Sequence, residues 1–223
     1  MQSIRENVEK IKAELAGGNP FGEAVTLVAA TKMQDAEKIN AAIAAGVDAV
    51  AENKVQEFRD KTDLLNPACP QHFIGHLQTN KVKYLVGKIA LFHSCDRYEL
   101  AAELDRQSIR KGVVSDVLLQ INIGDEESKG GFAYAEAYEA YEAVKKMSGL
   151  RVRGFMAMLP DTDDEELLKT LAKKMRVLYD DVRAKDAFIA YLSMGMSGDY
   201  RLCVDCGSNM IRVGSTIFGA RNY

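Results

Sequence analysis

Two features of this sequence could do chemistry: an amine at the end of an apolar run, and two Gly/Ser segments suited to an anion. The amine is Lys32, reached through Leu27-Val28-Ala29-Ala30-Thr31. An amine partly shielded from water is a competent Schiff-base nucleophile. The ordinary alternative is a snorkelling or ion-paired lysine, with Glu52 an available partner, and position alone favours it. The anion segments are Ser193-Met194-Gly195-Met196-Ser197-Gly198-Asp199, expected to open a helix through Cys203, and Arg212-Val213-Gly214-Ser215-Thr216. A hydroxyl beside free N–H groups at a helix start suits a phosphate. Singly, each segment is a common turn.

Short, nearly continuous apolar runs must position these groups. They fall at residues 25–30, 48–51, 72–75, 89–93, 117–123, 152–158, 189–194 and 210–213. Continuous rather than alternating runs predict parallel strands covered on both faces. Between them lie helical patterns. Leu167, Leu171, Met175, Leu178 and Val182 step by three or four residues, as do Tyr134, Tyr138, Tyr141 and Val144. Ahead of the first strand, Ile4, Val8, Ile11 and Leu15 predict an extra N-terminal helix ended by Gly17-Gly18-Asn19-Pro20. Eight strands alternating with helices in 223 residues predict an α/β fold, a single (β/α)8 barrel covering residues 1–223. An open doubly wound sheet would carry Gly-x-Gly-x-x-Gly after its first strand, and Thr31-Lys32-Met33-Gln34 stands there instead.

A barrel places its chemistry at the C-terminal ends of its strands. Here those ends are Lys32, Glu52 and Asn53, His76, Ser94, Asn122, Met156 and Met158, the segment 193–197 and the segment 212–215. The two anion segments follow strands seven and eight, where barrels often complete a phosphate site, and together they favour phosphate binding. Arg212 has a plainer alternative, a pairing with a carboxylate such as Asp199 or with the phosphate. Met156 and Met158 read as core. His72 and His76 need not share a face, and Cys203-Val204-Asp205-Cys206 has no second pair, so no metal site is expected. The run 124–131 reads as a solvated loop, with Lys129 either reaching over the mouth or facing water.

Composition narrows the partners. Lys and Arg total 29 against 32 Asp and Glu, a net charge of −3. That argues against nucleic acid or a membrane surface as partner, since both call for basic excess. Hydrophobic residues form 47% of the chain, enough for a full core. Four cysteines are too few for a disulfide scaffold of this length, and no secretory leader or membrane-spanning run is evident, so a cytoplasmic protein is expected.

Five ordered motifs carry a family resemblance. They are Ala29-Ala30-Thr31-Lys32, Ala51-Glu52-Asn53-Lys54-Val55-Gln56-Glu57, the run from His72 through Gly75-His76-Leu77-Gln78-Thr79-Asn80-Lys81, Leu192-Ser193-Met194-Gly195-Met196-Ser197, and the run from Ile211-Arg212 to Gly219. They resemble the pyridoxal phosphate homeostasis proteins of the YggS/PROSC type, similar to the N-terminal barrel of alanine racemase. The resemblance implies pyridoxal 5′-phosphate (PLP) held as an internal aldimine on Lys32. It further implies a phosphate cradle from Ser197, Gly214 and Ser215, Arg212 facing the pyridine nitrogen, and Asn53 beside the ring. His76, Asn80 and Lys81 match a family motif without an assigned contact, and Lys129 matches a lysine implicated in PLP exchange. Lys54 departs from the family, where tyrosine is common, and so does the Cys203/Cys206 pair, where an Ala-rich helix is usual.

The function so implied is binding and homeostasis of PLP without turnover, by a monomer, with apo PLP-dependent enzymes as recipients. An amino-acid racemase is the alternative within PLP chemistry. Racemisation needs acid–base groups on both faces of the substrate, and in alanine racemase the second is a tyrosine from another domain of a partner chain. An aldolase using Lys32 is the alternative from barrel architecture alone.

Overall fold

The computed structural model describes residues 2–126 and 129–219. Eight strands run β1 Thr26–Ala30, β2 Ala49–Glu52, β3 Gln71–Phe73, β4 Leu91–Cys95, β5 Ser115–Asn122, β6 Leu150–Ala157, β7 Tyr191–Ser193 and β8 Met210–Val213. All neighbours are parallel, in the order β4-β3-β2-β1-β8-β7-β6-β5, and β5 pairs back onto β4 to close the ring. The helices are α1 Gln2–Leu15, α2 Ala36–Ala44, α3 Val55–Lys61, α4 Tyr98–Lys111, α5 Ala137–Val144, α6 Glu165–Arg183, α7 Tyr200–Asp205 and α8 Ser215–Phe218. This is a (β/α)8 barrel with an added N-terminal helix, as the apolar runs predict.

Three details differ from the sequence expectations. The crossover after β3 is a 3-10 helix, Thr79–Tyr84, in which only Val82 is buried. A two-residue strand, Phe132–Ala133, is added outside the ring against Ile121 and Asn122. In α6 the buried face is Leu168, Ala172, Met175, Leu178, Tyr179 and Val182, while Leu167 is exposed. Leu171 is partly buried against the same core, so the expected stripe lies at the edge of the buried face in the first half of the helix. Tyr138 of α5 is likewise exposed, with Ala137 and Ala140 facing inward.

Alternation along the strands divides the core. Val28, Ala49, Ala51, Leu91, Leu118, Met156 and Met210 fill the barrel's interior. The intervening residues, among them Leu27, Val50, Phe73, Phe92 and Ile211, pack outward against the helices. The α1 stripe Ile4, Val8, Ile11 and Leu15 is buried as the spacing predicts. Among the described residues, no helix is long and apolar enough to cross a membrane.

Candidate functional site

Register brings the candidate residues to one end of the barrel. Ala30 of β1 pairs with Ala51 of β2, and two residues on, past each strand, stand Lys32 and Asn53. Ala29 pairs with Val213, so Gly214 lies beside Ala30; a Cβ on Gly214 would sit 3.4 Å from the Ala30 carbonyl oxygen. Asn53 is itself fixed from the neighbouring strand. A Cβ on Gly75 would come within 2.0 Å of the Asn53 carbonyl oxygen, so only glycine lets the end of β3 lie there. The Ser94 hydroxyl donates to the Gly75 carbonyl at 2.5 Å and holds it in place.

Lys32 is half-buried, and its side chain makes no hydrogen bond or ion pair among the described residues. The expected partner Glu52 is taken elsewhere. Because Ala49 and Ala51 face the interior, Glu52 faces outward, where its Oε1 accepts from the Thr31 hydroxyl at 2.6 Å and from Lys61 Nζ at 3.0 Å. The pairing of Glu52 with Lys32 is therefore corrected by strand alternation.

Arg212 also differs from its plainer reading. It pairs in register with Val28 and so points into the barrel, where it is 4% exposed. Among the described residues its guanidinium meets no carboxylate: Nη1 donates to the Ser193 carbonyl at 2.8 Å and hydroxyl at 2.7 Å, and Nη2 to the Ala157 carbonyl at 3.1 Å. Three of its five N–H groups are thus held by neutral oxygens, leaving Nε–H and one Nη2–H. Burial pushes its pKa down to about 10, so it remains cationic at neutral pH. The Ser193 hydroxyl continues to His93 Nδ1 at 3.2 Å, and His93 Nε2 to His72 Nδ1 at 3.0 Å. Burial pushes His72 down to about 4 and His93 well below its ordinary value, with His72 and Arg212 adding to the effect on His93. Both rings are neutral at neutral pH, and a row of four buried side chains crosses the barrel.

The anion segments meet as expected, though by a different contact. Ser197 precedes α7 by three residues rather than opening it. Its hydroxyl instead accepts from the N–H groups of Gly214 and Thr216, each at 3.3 Å, beside Ser215 at the start of α8. One hydroxyl and the amides of the last loop therefore share one small cradle.

The remaining candidates lie around this centre. His76 Nδ1 is 3.0 Å from Asp96 Oδ2 and Lys81 is exposed; both line a cavity of about 370 Å³ with Asn53 and Lys54. Asn80 is exposed and outside that lining. A larger cavity, about 720 Å³, lies on the outer side of Ser197 between α6 and α7 and includes neither Lys32 nor Arg212. Lys129 Nζ binds Glu126 Oε1 at 2.6 Å and the Leu159 carbonyl at 3.0 Å, tying its loop to the end of β6. Glu127 and Ser128 of the same loop lie outside the described residues. Cys203 and Cys206 are buried, and burial pushes both thiols up, so they remain protonated. Sequence reasoning missed His93 and Ser193 as one unit. The signal was available, since His93 stands two residues beyond inward-facing Leu91.

The donor set fits a phosphorylated pyridine aldehyde: a free amine, a buried cation with N–H groups to spare, and an amide cradle. Known proteins match accordingly. The family described as alanine racemase, N-terminal domain, matches residues 1–222. A pyridoxal phosphate homeostasis protein of Aquifex aeolicus is 37% identical over 199 residues, 88% of this chain and 87% of its own length. One from Escherichia coli is 36% identical, covering 100% of this chain and 99% of its own. The structure of PipY from Synechococcus elongatus with PLP bound superposes with a TM-score of 0.82 at 29% identity, covering 97% of this chain and all of that one.

Proposed function

This chain belongs to the alanine racemase N-terminal domain family, among the pyridoxal phosphate homeostasis proteins, and from that premise we propose that it binds PLP through Lys32 and takes part in PLP homeostasis without turnover. In this reading the one barrel is the whole binding unit. It works in the cytoplasm as a monomer and hands PLP to apo-enzymes that require it.

PLP, when bound, supplies an aldehyde that condenses with amines and a ring that withdraws electrons from the attached carbon. The chain's residues divide the task of holding it. Lys32 Nζ supplies the amine for the covalent link. Ser197, Gly214 and Ser215 hold the phosphate, and Asn53 flanks the ring. Arg212 donates an N–H to the ring nitrogen.

The observation that carries the non-catalytic reading is Arg212. A carboxylate beside the ring nitrogen would favour its protonation and strengthen electron withdrawal. A buried guanidinium that stays charged at neutral pH opposes that protonation. Chemistry at the α-carbon of a bound amino acid is correspondingly weak. The test is to load the protein with PLP, reduce with borohydride, locate the adduct by mass, and assay alanine enantiomer interconversion. The expected result is a Lys32 adduct and no sustained interconversion. PLP-dependent racemisation by pure protein would establish an enzyme instead.

A further inference from the structure

Among the described residues nothing supports the Lys32 amine, so what aims it acts through the backbone on either side. Both neighbours are gripped from behind the sheet. The Thr31 hydroxyl donates to Glu52 Oε1 at 2.6 Å and to the Ala51 carbonyl at 3.0 Å. The Met33 N–H donates to Glu57 Oε2 at 2.7 Å. One ammonium joins the two grips: Lys61 Nζ donates to Glu52 Oε1 at 3.0 Å and Glu57 Oε2 at 2.8 Å, with the Thr31 carbonyl at 3.4 Å.

Two anomalies show that this is more than a helical Glu57–Lys61 pair. Met33 adopts φ +63°, a left-handed conformation that a methionine rarely takes, and its side chain is exposed. Packing therefore does not impose that conformation, whereas the Glu57 contact holds the residue's amide. Glu52 is buried, and its Oε2 has no hydrogen-bond partner. A carboxylate is kept in an unfavourable place where its other oxygen reaches Thr31 and Lys61. Burial holds Glu52 above the usual carboxylate range. For Glu57 burial is outweighed by Lys61 and the Met33 N–H, which hold it below that range.

We propose that Lys61 is a positioning residue that, through Glu52 and Glu57, fixes the backbone of Thr31 and Met33 and so aims the Lys32 amine into the barrel mouth. The inference rests on Lys32 being the PLP-linking lysine. Forming that link requires the amine to approach the aldehyde carbon in one geometry, with a carbon–nitrogen bond made and water lost. Misplacement on the scale of an ångström is enough to slow such a step.

The test separates docking from linking. Pyridoxine 5′-phosphate, which has no aldehyde, reports docking alone; PLP uptake followed by visible absorbance reports the link. Lys61→Met is expected to slow link formation about tenfold while leaving affinity for pyridoxine 5′-phosphate within about twofold. Lys61→Arg, which can bridge two carboxylates, is expected to restore the rate. Should Lys61→Met fail to fold, Glu57→Gln serves, with slower linking and unchanged docking expected. Unchanged linking in a folded variant, or equal loss of linking and docking, overturns the proposal. A wild-type borohydride adduct on a lysine other than Lys32 overturns the underlying reading as well, and so distinguishes the two failures.

Discussion

Lys32 and Arg212 are two cations under opposite constraints. Among the described residues Lys32 has no bonded partner, so its replacement removes function and little else. Lys32→Ala is expected to abolish the borohydride-stable PLP adduct while urea-unfolding stability stays within about 0.5 kcal/mol, as for a surface change. Ser197 is the corresponding test of the cradle. Its two amide contacts, at 3.3 Å each, lie at the long end for hydrogen bonds, which leaves the hydroxyl free to turn to a ligand. Ser197→Ala should weaken PLP binding by about 1.5–3 kcal/mol, the scale of a hydrogen bond to a charged group. In equilibrium dialysis pyridoxal, lacking the phosphate, should bind much more weakly than PLP. Equal affinities would remove the cradle from the argument. At this scale the sequence was legible where a motif marks a strand end, as at Lys32 and Gly214. It was not legible at Lys61, whose role depends on a helix laying it against the backs of two strands.

At the scale of elements, strands were easier to read than helix faces. Burial on both sides leaves a continuous apolar run, and β8 was predicted to the residue. Helix faces depend on how closely each helix approaches the sheet, so Leu168 and Ala172 face inward while Leu167 is exposed and Leu171 is only partly buried. What the runs concealed was the polar row from His72 on β3 through His93 and Ser193 to Arg212 on β8. It has a consequence for acid stability. Burial lowers the His72 pKa from 6.5 to about 4 in the folded protein. Between those values the unfolded chain binds a proton that the folded one refuses. The stability present above pH 6.5 is therefore lost as pH falls, by roughly 2 kcal/mol at pH 5 and roughly 3 kcal/mol by pH 4 for this ring alone. Urea midpoints at pH 7.5 and 5.0 measure it; the fall should shrink in His72→Gln, and an unchanged fall would assign the effect elsewhere. On the other side of the barrel, Asp164 caps α6 by accepting from the Leu167 N–H at 3.0 Å. Asp164→Ala should cost about 1 kcal/mol of unfolding free energy.

Over the whole molecule, side chains far apart in sequence hold the closed ring. Glu23, just ahead of β1, binds Arg176 and Arg183 of α6, and Asn19 donates both to it and to the Gly207 carbonyl before β8. Burial opposes ionisation of Glu23, yet Asn19 and the two arginines outweigh it and hold the carboxyl below its usual range. Its contribution is thus present at neutral pH and lost on acidification through the carboxylate range. Glu23→Gln leaves Arg176, 7% exposed, with Asp180 as its remaining counter-charge, and should destabilise by about 1.5 kcal/mol in urea unfolding at pH 7, the scale of one hydrogen bond to a charged group.

The first helix closes against the last stretch of chain. The Asn7 side chain donates to the Ile217 carbonyl at 3.0 Å, Glu14 accepts from Tyr200 and Arg201, and Ile4, Val8, Ile11 and Leu15 share a core with Tyr200, Val204 and Ile217. A ribosome delivers these partners in the wrong order. The α1 stripe leaves the exit tunnel well before Tyr200, Val204 and Ile217, and must wait for the rest of the barrel to be translated before these neighbours arrive. During that interval it is an apolar helix face without its full cover, the kind of surface that nascent-chain chaperones shield. Full docking of α1 is therefore late relative to its own synthesis, and a translation product stopped before Tyr200 would leave part of the α1 stripe uncovered.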